Sequence, residues 1–339
     1  MTSASNGFIS ADVGGTHTRI ALAQPSPGAA CPVALLHTER YTCAEWPGLT
    51  EIVADFIARL PASGHHARPT AGVLACAGYV QDDQVVNVNL PWSVPLTAMR
   101  ERLGMRQLAV INDFGALAHA VPHVAQGTMR DLLDGEGEPG GLAAGPIVVM
   151  GPGTGMGCAA VLPGAPYPQV LPSEAAHIAL APGTPREIEI LRVLSREHPH
   201  VAVERALSGP GLLKLYRAIA ELRGEPARIE APAGVTAAAL AAVPDAAALE
   251  ALNTFCELLG SFAADLAVVY RASGGVLLAG GILPQIEPFL RRSGFEERFL
   301  RKGVMVPFLR RVPVRVIDHG DLGIVGAACW WLQQVQAPR

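Results

Sequence analysis

Two glycine-threonine turns, each set between apolar runs, constrain this chain most strongly. Asp12-Val13-Gly14-Gly15-Thr16 lies between Phe8–Ala11 and Ile20–Ala23. That pattern reads as a β-hairpin with a glycine turn. Amides around such glycines converge on an anion because no Cβ blocks close approach. Thr16 adds a hydroxyl donor, and Asp12 places a carboxylate where a hydrated Mg²⁺ can sit. An ordinary tight turn explains Gly14-Gly15-Thr16 equally well when it is taken alone. A second copy shifts the balance: Ile147–Met150, then Gly151-Pro152-Gly153-Thr154-Gly155-Met156-Gly157, then Cys158–Leu162.

The second turn is not a dinucleotide fingerprint. Met156 occupies the third glycine's place, and Cys158–Leu162 is too short and too β-compatible to open a helix. A Walker loop also needs a lysine, and the chain has only Lys214 and Lys302. The expectation is two hairpins, far apart in sequence, that clamp one polyphosphate.

The 339 residues predict about two domains with substantial cores. Half the residues are hydrophobic and the net charge is -4, with no basic stripe, so nucleic acid is not an expected partner. The N-terminus lacks the basic and apolar regions of a secretory signal. The apolar window Phe262–Pro284 is interrupted by Asp265, Arg271 and Gly274-Gly275, which argues against a membrane span. Six cysteines without paired spacing read as reduced core thiols of a cytoplasmic protein.

Along the chain, a third strand is expected over Ala34–Arg40 and a helix over Gly48–Leu60. A strand over Ala71–Ala77, an extended piece over Val85–Trp92 and a helix over Leu96–Leu103 follow. The run Leu108–Ile111 ends at Asn112-Asp113, where a helix begins. Parallel βαβ units hold ligands at the carboxyl ends of their strands, so Asp113 is a candidate for chemistry. Its other reading is a helix N-cap. Residues 126–145 read as an exposed connection. Glu174 and His177 face one way if their loop turns helically; capping by Ser173, or a plain surface acid, is the competing account. Helices are expected over Pro185–Glu197, from Ser208 or Gly209 to Arg223, and through the Ala-rich run Thr236–Leu259. The strand Gly275–Ala279 leads to Gly280-Gly281, which either admits a flat ligand or ends the strand. A strand over Val312–Ile317 and a helix over Gly320–Gln334 close the chain.

In this order the motifs resemble the bacterial glucokinase family of the proteobacterial type, in the sugar-kinase and actin-like ATPase superfamily. The resemblance spans roughly Phe8 to Trp331. It rests on Asp-Val-Gly-Gly-Thr, Asn-Asp-Phe, Gly-Pro-Gly-Thr-Gly-Met-Gly, Ser-Glu-x-x-His, Glu-Arg-x-Leu-Ser-Gly-Pro-Gly-Leu and Ala-Gly-Gly-Ile. It implies an α/β, two-domain actin-like (ribonuclease H-like) fold with a cleft between domains. Residues 1–123 plus 318–339 would form the smaller domain and 124–317 the larger. It further implies ATP with Mg²⁺, glucose as the acceptor, and a homodimer. Gly14, Gly15 and Thr16 would form the first phosphate loop, and Gly153, Thr154 and Gly155 the second. Gly280 and Gly281 would lie against adenosine. Asp113 would be the catalytic base, with Asn112, Glu174, His177 and Glu204 on sugar hydroxyls. His17 stands where the family often has Asn, and Ala175-Ala176 where Gly-Gly is usual. The cysteine-rich zinc motif of the repressor/kinase branch is missing.

Phosphoryl transfer depends on positioning and charge stabilisation, with nucleophile and leaving oxygen in line. The expected reaction is ATP-dependent phosphorylation of glucose, Asp113 taking the proton of the 6-hydroxyl. A kinase for another hexose or an amino sugar is the near alternative. A non-catalytic sugar sensor is the distant one; Asp113 and the absence of a helix-turn-helix segment before Phe8 count against it.

Overall fold

A computed structural model describes residues 7–86, 90, 92–125, 128–139, 141–164, 167–318 and 320–336. It is mixed α/β and divides into two compact units. One comprises Met1–Val124, Gly164–Pro172 and His319–Arg339; the other comprises Ala125–Pro163 and Ser173–Asp318.

The first unit begins with β1 (Phe8–Val13), β2 (His17–Pro25) and β3 (Val33–Thr42), then α1 (Leu49–Arg59) and β4 (Ala71–Cys76). A ribbon of β5 (Tyr79–Gln81) and β6 (Gln84–Val86) follows, then α2 (Leu96–Leu103), β7 (Gln107–Asn112) and α3 (Asp113–Ala120). The middle of the expected Val85–Trp92 extension, residues 87–89 and 91, lies outside the described residues. Sheet order is β3-β2-β1-β4-β7. The β1-β2 and β2-β3 pairs are antiparallel, whereas β1, β4 and β7 run parallel. Helix α1 buries Leu49, Ile52, Val53, Phe56 and Ile57, one apolar stripe at helical spacing.

The second unit carries β8 (Met129–Leu133), β9 (Ile147–Pro152) and β10 (Met156–Leu162); β11 (Gln169–Ser173) precedes the turn that holds Glu174. Helices α4 (Pro185–Leu194), α5 (Gly209–Leu222), α6 (Pro232–Ala239) and α7 (Ala246–Val269) lead to β12 (Gly275–Leu278). Then come α8 (Leu283–Leu290), α9 (Phe295–Leu300), α10 (Val306–Leu309) and β13 (Val314–Ile317). Strands β10-β9-β12-β13-β8 are neighbours in that order. Helix α11 (Leu322–Gln336) returns to the first unit.

Two expectations are corrected here. The Ala-rich run is not one helix: α6 ends at Ala239 and α7 starts at Ala246. Pro244 has no N–H to continue the helix, and Asp245 caps α7 by accepting the Ala248 N–H at 2.8 Å. Residues 126–145 are not wholly an exposed connection, because β8 pairs antiparallel with β13. Its acid is structural. Asp131 lies 2.6 Å from Nε of Arg315, which is 1% exposed and also donates to the carbonyls of Leu133 and Gly141. Among the described residues, α7 alone is long and apolar enough to cross a membrane, and 67% of its most apolar window is buried in protein.

His119 on α3 is 7% exposed, and its Nδ1 has no hydrogen-bond partner among the described residues. Burial pushes its pKa down from 6.5 to about 4. The native imidazole therefore stays neutral while the unfolded one protonates. Its contribution is present above pH 6.5 and is lost as pH falls from 6.5 to about 4, an amount of about 3 kcal/mol. Urea unfolding measured across that window should show less acid sensitivity in His119→Leu than in the wild type.

Candidate active site

In the first unit the parallel register sets Val13 beside Cys76 and Cys76 beside Asn112. The carboxyl ends of β1, β4 and β7 therefore form one edge, with Asp12 on one flank and Asn112-Asp113 on the other. The fully buried Cys76 thiol reports both acids: burial raises its pKa, and the charges of Asp113 and then Asp12 raise it further. Asp12 also lies 3.8 Å from Nη1 of Arg19. The Gly14 N–H donates to the His17 carbonyl at 3.0 Å, and the Cys43 N–H donates to the Thr16 carbonyl at 2.9 Å. The Gly14–Thr16 turn is thus anchored at both ends. His17 has its pKa lowered by burial and by Arg40 and Arg19, so it is held toward the neutral form beside two guanidinium groups.

Asn112 takes the capping role at α3, its Oδ1 accepting the Gly115 N–H at 3.0 Å. Asp113 is the first helical residue, and its Oδ1 accepts the Phe114 N–H at 2.9 Å. The cap reading of Asp113 therefore passes to its neighbour. Asn112 keeps its amide N–H groups as donors.

In the second unit β9 and β10 form the second hairpin. The Gly153 N–H donates to the Gly155 carbonyl at 2.7 Å, closing the turn around Thr154. The Gly209 N–H, at the start of α5, donates to the Gly153 carbonyl at 2.9 Å. Glu204 Oε2 accepts the Met156 N–H at 2.8 Å, so this acid is tied to the hairpin itself. Ser208 joins the two: its hydroxyl donates to the Glu204 carbonyl and caps α5 through the Gly211 N–H. Sequence reasoning found Ser208 as a helix start but not as this link, which depends on a hairpin about fifty residues upstream.

Glu174 and His177 lie on a 3-10 turn, with Oε2 and Nε2 3.7 Å apart and their side chains 69% and 60% exposed. Ser173 Oγ accepts the Ala175 N–H at 3.1 Å, so the cap and the facing pair coexist. Ala176 is buried in the core, which gives its methyl a place. The bridge between Ala179 and Ala202, with Val203 N–H donating to Ile178 O at 3.0 Å, sets this turn beside the Glu204 segment.

Gly280 has φ +118°, and a Cβ there would lie 2.3 Å from the Pro152 carbonyl oxygen. Strand-end packing therefore demands this glycine. Gly281 differs: a Cβ there meets nothing within 4 Å, so its own packing leaves the backbone open to a ligand. Gly153 is open in the same way.

No group of three His, Cys, Asp or Glu side chains among the described residues is arranged to hold a metal. A single carboxylate beside a glycine turn suits Mg²⁺ carried by nucleotide phosphates, because Mg²⁺ retains waters and takes few protein ligands. Asp12, beside the first turn, is the carboxylate that fits such an ion.

A glucokinase family profile matches residues 9–334. A Xylella fastidiosa (strain 9a5c) protein named "Glucokinase-like protein" is 41% identical over 328 residues, 96% of this chain and 95% of its own length. The glucokinase of Nitrobacter hamburgensis is 37% identical over 317 residues, 94% of each chain. The crystal structure of glucokinase from an Antarctic psychrotroph matches with a TM-score of 0.80 at 34% identity, covering 96% of this chain and 98% of that one.

The glycine geometry makes a paired prediction. Gly280→Ala should lose about 1–3 kcal/mol of stability from the forced left-handed backbone and the Pro152 contact. Gly281→Ala should stay within about 0.5 kcal/mol of the wild type. Denaturant unfolding of the two variants checks this; equal losses would refute the distinction.

Proposed function

The chain belongs to the glucokinase family, and from that premise we propose that it transfers the γ-phosphoryl group of ATP to the 6-hydroxyl of D-glucose, giving glucose 6-phosphate and ADP. The observation that carries this reading is Asp113, a carboxylate at the carboxyl end of β7 whose capping duty is taken by Asn112. In this reading Asp113 accepts the 6-hydroxyl proton as the oxygen attacks phosphorus. Asn112 donates to a sugar hydroxyl through its amide. Glu204, with Oε2 on the Met156 amide, offers Oε1 to another. Glu174 and His177 take further hydroxyls from their shared turn.

The turns Gly14–Thr16 and Gly153–Gly155 cradle the phosphates with backbone amides and threonine hydroxyls. Adenosine lies on Gly281, with Gly280 shaping that turn. Mg²⁺, when bound, would offset phosphate charge, and Asp12 would be the residue that holds it. The fold proposed is the two-domain actin-like one, with 1–123 plus 318–339 as the smaller domain and 124–317 as the larger. Glucose and ATP acting on a cytoplasmic homodimer complete the proposal.

The base assignment predicts that Asp113→Asn lowers turnover by roughly 10²–10⁴-fold and changes glucose affinity far less. A coupled assay with ATP, Mg²⁺ and a hexose panel measures this and identifies the preferred sugar. Near-normal turnover in the variant would end the assignment.

The two ligand sites should also separate. Glu204→Gln is expected to weaken glucose binding by about 1–3 kcal/mol with little change for ATP. Thr154→Val is expected to show the reverse. Calorimetric titrations returning one profile for both variants would refute the split.

A further inference from the structure

Helix α11 lies along the face of β1 that carries Phe8, Ser10 and Asp12, alternate residues on one side of a strand. The Phe8 and Trp331 ring centroids are 6.2 Å apart. The buried Ser10 hydroxyl donates to the Ile324 carbonyl at 2.7 Å. Two residues further along the strand, Gly323 meets Asp12. A Cβ on Gly323 would sit 2.8 Å from Asp12 Cγ and 2.9 Å from its Oδ2.

Nothing in the backbone of Gly323 asks for glycine. It is the second residue of α11, in helical conformation, where alanine is intrinsically the better choice. The cost of glycine therefore has a packing cause: the three heavy atoms nearest to that missing methyl, among the described residues, all belong to Asp12.

Resting on the reading of Asp12 given above, we propose that Gly323 is a positioning residue for Asp12. Its missing side chain lets the first turn of α11 close on the carboxylate and hold it in one rotamer, so that Asp12 orders a water of nucleotide-borne Mg²⁺. A methyl group at Gly323 turns the carboxylate away and weakens only the Mg²⁺-dependent part of nucleotide binding. Gly326, three residues on, packs against Ala116 rather than Asp12, so its substitution perturbs the same helix without striking the carboxylate.

The test is titration calorimetry of the full chain with ADP, with and without Mg²⁺, and with glucose. Gly323→Ala is expected to bind ADP roughly tenfold more weakly with Mg²⁺ present. ADP without Mg²⁺ and glucose should bind as in the wild type. Asp12→Asn should show the same selective loss, and Gly323→Ala should add nothing in that background. Gly326→Ala should lower the melting temperature without the Mg²⁺-selective loss. A second measurement covers poor folding of Gly323→Ala: adding Asp12→Ala removes the two closest atoms, Cγ and Oδ2, and should recover part of the lost melting temperature. Wild-type Mg²⁺ dependence in Gly323→Ala, with loss in Asp12→Asn, overturns the positioning role alone. Wild-type dependence in Asp12→Asn overturns the reading of Asp12 and the positioning role with it. No recovery of melting temperature in the double variant overturns the steric fit.

Discussion

Gly326 lies so close to α3 that a methyl group there would sit 1.7 Å from the Ala116 carbonyl oxygen. This approach of α11 to α3 organises the first unit. Helix α3 begins at Asp113, and α11 packs on α3 while its first turn lies beside Asp12. Close-packed interiors transmit small displacements, because there is little free volume to absorb them.

The second unit uses the same device with different parts. A Cβ on Gly151 would lie 1.4 Å from the Ala279 carbonyl oxygen, and Gly280 packs against Pro152 in return. The carboxyl end of β9 and the residues after β12 thus interlock through backbone alone. This leaves the Gly153–Gly155 turn and Gly281 next to one another at a common edge. Glu204 and Gly209 then fasten the hairpin from the other side. An acid proposed for sugar hydroxyls thereby also shapes the Gly153–Gly155 turn, and a change at Glu204 acts on that turn as well.

Much of this was legible in the residues. The apolar stripe of α1, the span of α2, and the hairpins at Gly14–Thr16 and Gly153–Gly155 follow from periodicity and turn chemistry, which are local. Less legible were features whose cause lies far along the chain. Strand β8 hides in a stretch rich in Asp and Gly, because Asp131 answers to Arg315, a residue 184 positions away by the numbering. The break between α6 and α7 was written in Pro244-Asp245, but the density of alanine on both sides masked it. For Gly280 and Gly281 the sequence offers two identical letters, and only their surroundings separate a packing glycine from an open one.

The sequence by itself determined the kind of elements, the two glycine-threonine turns and the acid at a strand end, since each depends on neighbours within a few residues. Motif order and spacing also sufficed to point to the glucokinase family. Tertiary structure alone decided that Asn112 rather than Asp113 caps α3, that Glu204 is tied to the second hairpin, and that Gly323 abuts Asp12. The physical reason is that hydrogen-bond direction and steric exclusion depend on distances of tenths of an ångström between segments remote in the chain. No local pattern of residues encodes those distances.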